Sequence, residues 1–199
     1  MTGPLILGIE TAVSGGSISL SQGTTEIANW IGTELSLRAE DILVRIQTLF
    51  DEAGVDRDDL SIIAASAGPG SFTGIRVGLA TALGLKGSLR TQFSSFSVLE
   101  AMALERDLTG TAAIPMGRGS ACAQPFVNGH PDGEPFNCLV NELERADTGT
   151  ILVHSELSAD VRSECVVDFG SNLAKAIALM GLRYPCTATD PIFISRPTA

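Results

Sequence analysis

Basic residues are scarce in this sequence. Lys and Arg together number 13 against 23 Asp and Glu, for a formal net charge of −10. An acidic chain repels a phosphate backbone over most of its surface. That argues against tight nucleic-acid binding by this chain alone; such a role would run through a basic partner. Histidine is scarcer still. His130 and His154 lie far apart and form neither HxxxH nor HExxH, which excludes a helical two-histidine metal site. A metal would need an all-carboxylate site, and no carboxylate cluster suggests one, so no metal ligand is assigned. The cysteines Cys122, Cys138, Cys165 and Cys186 include no CxxC pair and match no zinc spacing. They are expected to be reduced, buried thiols in a cytosolic protein. Long hydrophobic runs are also missing. The N-terminal run, Leu5 to Ile9, is far shorter than the roughly 20 residues of a membrane span, and no basic segment precedes it. The expectation is a cytoplasmic chain without a membrane role.

A core is present. Hydrophobic residues make up 44% of the 199, too many for a disordered chain and enough for one large domain or two small lobes. Pro4 to Thr11 is a continuous apolar run, as in a buried central strand. Ser14-Gly15-Gly16 signals a turn, Ser17 to Ser21 alternates as an antiparallel return strand, and Thr25 to Trp30 makes a third. A helix of about five turns follows, with Leu35, Ile42, Leu43, Ile46, Leu49 and Phe50 on one stripe and Gly54 as its C-cap. Leu60 to Ala67 reads as a buried strand parallel to the first. A second helix runs from about Ser71 to Gly87, and a short link leads to a third from about Ser97 to Arg106.

Three strands, helix, strand, helix, with room for a further strand and helix, predicts an α/β protein. A mixed sheet with an antiparallel opening meander matches the ribonuclease-H-like unit of the actin/Hsp70-like fold; a Rossmann domain would alternate strand and helix from the start. The second half is less regular. Strands are expected at Thr111 to Met116, Ser120 to Val127, Ile151 to His154 and Val166 to Phe169, and a helix at Asn172 to Met180. Asp190 to Ser195 reads as a terminal extended segment, and residues 128–149 read as loop. No internal repeat is visible. A boundary near Leu108 to Gly110 separates an N-terminal lobe, 1–109, from a smaller, reduced C-terminal lobe, 110–199.

The most informative stretch is Gly68 to Gly78, GPGSFTGIRVG. A strand enters a Gly-Pro-Gly turn and a helix begins at Ser71 or Thr73, both good N-caps. Exposed N–H groups at such a start are able to hold an anion, yet no Gly-Lys-Ser/Thr follows and the GxGxxG spacing fails. Gly70, Gly74, Gly78 and Ala82 recur every four residues and share one helix face. A glycine inside a helix costs about 1 kcal/mol relative to alanine, so another backbone is expected close by. Two readings fit: the chain's own sheet, or a helix of a partner subunit, with Ile75, Leu79 and Leu83 forming a separate core-facing stripe.

The string Ala64 to Gly87, AASAGPGSFTGIRVGLATALGLKG, resembles the signature of the bacterial TsaB (YeaZ) family, in which a strand ends in GPGSFTGxRxG. Leu5 to Leu20 is similar to the family's opening ILxIDTSxxxxSVAL, FSSFSVLEAMA to its VSSLEALA segment, and the terminal PIFISRP to its PxYLR ending. The resemblance covers about residues 5–106 and the C-terminus. It implies an actin-like two-lobed fold and a non-catalytic scaffold in the synthesis of threonylcarbamoyladenosine beside the tRNA anticodon. It also implies a TsaD-like catalytic partner, a TsaE-like ATPase, self-association as a homodimer when alone, and only indirect contact with tRNA. The implied partner interface is Gly70, Ser71, Phe72, Thr73, Gly74, Arg76, Val77 and Gly78. A vestigial phosphate turn would comprise Glu10, Thr11, Ser14, Gly15 and Ser17. No cofactor of the chain's own is implied, although a nucleotide could sit at a subunit interface.

There are departures from the family pattern. Glu10 replaces the opening aspartate and is one methylene longer, and Ala12 replaces a serine. Ile114 to Ala121 keeps only the turn and one arginine of a DARxGEVY-like pair. Alternatives from other classes are an actin-like ATPase or kinase, a glycoprotease-like peptidase, and a diverged paralogue outside the tRNA pathway. A kinase needs a fuller second lobe, and a peptidase needs an activated nucleophile or metal-bound water, for which no motif is present.

Overall fold

The computed structural model describes residues 3–13, 15–32, 39–146, 149–162 and 165–194. Strands β1 (Leu5–Glu10), β2 (Ser17–Gln22) and β3 (Thr25–Ile31) form the opening meander. Helix α1 (Ala39–Ala53), β4 (Leu60–Ser66), α2 (Phe72–Ser88), β5 (Gln92–Phe96) and α3 (Val98–Glu105) complete the first lobe. Its sheet runs β3-β2-β1-β4-β5, antiparallel through the meander and parallel from β1 onward. The mixed sheet expected from the sequence is present, and the short link before the third helix contains β5.

The second half of the chain contains β6 (Gly110–Gly117), β7 (Ser120–Val127), β8 (His130–Pro131), β9 (Phe136–Leu139), α4 (Val140–Ala146), β10 (Thr150–His154), α5 (Ser155–Ser158) and β11 (Val166–Gly170), which form the second lobe, and α6 (Leu173–Arg183), which packs against the first sheet, with Ala178 meeting Ile6 and Ile62. The sheet of the second lobe runs β11-β10-β6-β7-β8, with β9 also paired to β7. The loop expected at 128–149 is thus corrected. Polar residues dominate there, but Cys138, Val140 and Leu143 are buried under the second sheet, enough to fold the segment back on β7. The expected extended segment at 190–194 joins no strand ladder, although the Ile192 N–H donates to the Ala67 carbonyl (2.8 Å). Residue 195 and position 35 lie outside the described residues.

Three apolar layers hold the elements together. On the outer face of the first sheet, Ile42, Ile46, Leu49 and Phe50 of α1 pack against Leu7, Ile9, Ile18 and Ile63. Between the sheets lie α3 and α6, with Leu99, Met102 and Ile177 meeting Ala64, Ile114 and Leu152. On the outer face of the second sheet, Leu143 and Leu157 cover Ala113, Ile151 and Val153. Residues after α6 return to the first sheet, where the Ser95 N–H donates to the Thr187 carbonyl (2.9 Å).

Helix starts follow the local sequence closely. Ser71 Oγ accepts from the Gly74 N–H (3.2 Å), Ser97 Oγ from that of Glu100 (3.4 Å), and Asn172 Oδ1 from that of Lys175 (3.4 Å). Gly54, at φ 63°, ends α1 as expected. The cysteines divide. Cys122 and Cys138 are buried, and burial pushes their thiols up to about 12 and about 11. Cys165 and Cys186 are exposed, which corrects the expectation of four buried thiols: both lie in connections outside the apolar layers.

Candidate functional site

The motif segments of the sequence meet at the turn between β1 and β2. Glu10 closes β1 and is only 1% exposed. Its Oε1 accepts from the backbone N–H groups of Ala12 (2.5 Å) and Val13 (2.9 Å). Desolvation pushes the carboxyl from its usual 4.5 up to about 7, against the lowering effect of the Val13 and Ala12 hydrogen bonds. Ser17 stands opposite Glu10 in the ladder, and its Oγ accepts from the Ala174 N–H (2.9 Å) at the start of α6. Gly15, at φ 75°, packs so closely on Gly32 that an added Cβ would lie 2.5 Å from the Gly32 oxygen. Ser14 lies outside the described residues.

Helix α2 grips this turn from the other side. The Ser71 N–H donates to the Ala12 carbonyl (2.7 Å), and Thr11 Oγ1 donates to the Gly74 carbonyl (2.7 Å). A Cβ added at Gly70 would overlap the Ala12 carbonyl; at Gly74 it would overlap the Thr11 carbonyl oxygen, and at Gly78 the Thr11 hydroxyl. The expectation that an outside helix covers Gly70, Gly74 and Gly78 is therefore corrected. Their small size admits the chain's own β1–β2 turn, the first of the two readings that the spacing allowed.

The outer face of α2 is different. Gly84 and Gly87 have open space around them. Leu83, expected in the core, is 51% exposed, and on α1 Leu43 and Val44 are 53% and 63% exposed. Leu79 remains partly buried and Ile75 fully buried. A groove of about 230 Å3, lined by Leu43, Ile46, Phe50, Leu85 and Leu89 among others, runs between the two helices. Of the remaining interface candidates, Ser71, Phe72, Thr73 and Arg76 are exposed, while Val77 is half-buried. The Arg76 guanidinium lies over the Phe72 ring (3.8 Å to its centroid), which also meets Phe193 (4.8 Å between centroids).

The sequence reading placed Leu83 in the core and passed over Gly84 and Gly87 because α2 carries apolar or small residues around most of its circumference. One signal was available: glycines at 84 and 87 carry the same helix penalty as those at 74 and 78. Among the described residues no group of three His, Cys, Asp or Glu side chains could hold a metal, and no helix is long and apolar enough to cross a membrane.

The family described as "TsaD: tRNA N6-adenosine threonylcarbamoyltransferase" matches residues 37–118. A curated relative named tRNA threonylcarbamoyladenosine biosynthesis protein TsaB, from Escherichia coli, is 34% identical over 100 residues, covering 49% of this chain and 42% of the relative. A tRNA N6-adenosine threonylcarbamoyltransferase from Chlorobium chlorochromatii is 26% identical over 196 residues, covering 91% of this chain and 51% of the relative. The chain spans about half the length of these curated relatives. In fold it is similar to YeaZ from Pseudomonas aeruginosa, with a TM-score of 0.68 at 18% identity over 90% of this chain and 92% of the other. It is also similar in fold to the ethanolamine utilization protein EutJ from Carboxydothermus hydrogenoformans, with a TM-score of 0.60 at 12% identity over 91% of each chain. The resemblance to the TsaB (YeaZ) family and the actin-like fold class read from the sequence are both borne out.

Proposed function

We propose that this TsaB-like chain is a non-catalytic partner subunit in tRNA threonylcarbamoyladenosine biosynthesis, docking a TsaD-like catalytic subunit through the outer face of α1 and α2. One observation carries the reading. Leu43 is uncovered at an apolar groove between α1 and α2, Val44 of α1 and Leu83 of α2 are uncovered as well, and Gly84 and Gly87 of α2 have open space around them. Helix glycines with no internal neighbour suit close approach by a second helix. Without a TsaD-like partner, the same face serves a homodimer. The proposed setting is the cytoplasm. Any TsaE-like ATPase and the tRNA itself are reached through the complex, as the net charge of −10 favours.

The non-catalytic assignment rests on the β1–β2 turn. The Glu10 carboxyl holds the Ala12 and Val13 N–H groups, and Gly32 packs against Gly15. A phosphate does not fit where the chain's own carboxyl accepts these donors, so no nucleotide step is assigned to this turn.

The test is co-expression with the TsaD-like protein of the same source, followed by size-exclusion chromatography with mass measurement. A 1:1 complex is expected for the wild type, and Leu83→Asp, at an exposed position, should abolish it while leaving thermal unfolding unchanged. No complex with the wild type would overturn the partner reading. A complex that survives both Leu83→Asp and Val44→Asp would move the interface off this face.

A further inference from the structure

A second cavity, of about 220 Å3, opens where α3, the end of α6 and the returning C-terminal segment meet the β7–β8 turn. It is smaller than the roughly 300–1,000 Å3 of pockets for drug-sized ligands, so an occupant would be small. Glu100 of α3 lines it. This side chain is half-buried, and among the described residues its carboxyl has no hydrogen bond or ion pair. Desolvation alone raises its pKa above the usual value. A half-buried carboxylate without a donor carries an unrepaid desolvation cost that an incoming cation would relieve.

The other walls complete the chemistry. The Thr189 N–H donates to Ser95 Oγ (3.0 Å), and the Ser95 N–H donates to the Thr187 carbonyl (2.9 Å). This pins Thr187 and Thr189 two residues apart along an extended stretch, so both side chains line the cavity. Their hydroxyls make no hydrogen bond among the described residues and are available as acceptors for an N–H donor. Phe96 and Tyr184 line it with aromatic rings, a class of side chain that attracts cations, and Met180 adds apolar surface. The net charge of −10 concentrates cations near the whole molecule.

We propose that this cavity is a binding site for a small organic ammonium ion, its charged nitrogen at Glu100 and the Thr187 and Thr189 hydroxyls, its short apolar body against Phe96 and Met180. The site is separate from the α1–α2 face and does not rest on the partner-subunit reading.

Benzylamine is a suitable probe and benzyl alcohol its uncharged counterpart, each titrated into the full chain and followed by backbone amide NMR. Benzylamine is expected to give saturable shifts at Leu104, Gly129 and Thr187 to Thr189. Glu100→Gln should weaken benzylamine about tenfold, equivalent to about 1.4 kcal/mol, while changing benzyl alcohol by less than about twofold. Resonances away from the cavity report whether the variant is folded; if it is not, Thr187→Val, at an exposed position, replaces it with a smaller weakening expected. No saturable shift, shifts confined to the α1–α2 groove, or equal benzylamine affinity in the folded variant would each overturn the proposal.

Discussion

The two lobes share a strand plan but cover it differently. In the first, β1 is central, with antiparallel β2 on one side and parallel β4 on the other; in the second, β6 is central between antiparallel β7 and parallel β10. The helices over the outer faces differ in length: α1 has 15 residues and α2 has 17, against 7 in α4 and 4 in α5. The second lobe is therefore reduced in its helices and not in its sheet. A long helix covers the sheet with one side and still has another side to offer a partner, whereas a single turn such as α5 is used up in covering. The turns after each central strand differ as well. That of the first lobe is clamped by α2 through Thr11 and Ala12, while around Gly117 and Gly119 of the second there is open space.

The strongest test of this contrast is at the clamp. Gly74→Leu should destabilise the chain by at least about 3 kcal/mol, because its side chain would have to displace the Thr11 backbone. Gly117→Ala, in the open turn, should cost only about 1 kcal/mol for its φ of 76°. Denaturant unfolding of both variants measures the difference, and equal losses would show that the clamp is not special to the first lobe.

A second test uses pH. The Glu10 carboxyl is pushed up to about 7 in the folded chain from a usual 4.5, so between these values the folded state binds more protons than the unfolded. Its contribution is complete below about pH 4.5 and is lost as pH rises through about 7, a fall of order 3 kcal/mol by linkage. Glu10→Gln keeps an oxygen for the Ala12 and Val13 N–H groups and cannot ionise. The wild-type melting temperature should fall relative to this variant across that window, and parallel curves would refute the assignment.

The smallest expected effect is at the open glycines of α2. Gly84→Ala should stabilise the isolated chain by about 0.5–1 kcal/mol, because no neighbour opposes the added methyl group. Alanine at Gly78, whose Cβ would overlap the Thr11 hydroxyl, should instead destabilise. Thermal unfolding distinguishes the two signs.

Most of the first lobe was legible because its signals are local. Pro4 to Thr11 could only be a buried strand, Ser71 and Ser97 both cap the helices they precede, and Gly54 ends α1. The second lobe was harder because its apolar residues come in short runs. Cys138, Val140 and Leu143 are buried within a stretch that is otherwise rich in Pro, Gly and acids. The repetition of the strand plan left no mark in the sequence, since a topology is kept by many sequences with the same alternation of burial.

By itself the sequence determined the mixed sheet, the capped helices, the acidic surface and the family resemblance, all of which follow from residue order, periodicity and charge. It also determined that α2 carries glycines needing a reason. Only the tertiary structure decided which reason applies to each. Gly70, Gly74 and Gly78 admit the turn at Thr11 and Ala12, from a distant part of the chain, while Gly84 and Gly87 face open space. Helical spacing places residues on a common face, but what meets that face depends on contacts between segments far apart in sequence, which a local pattern does not encode.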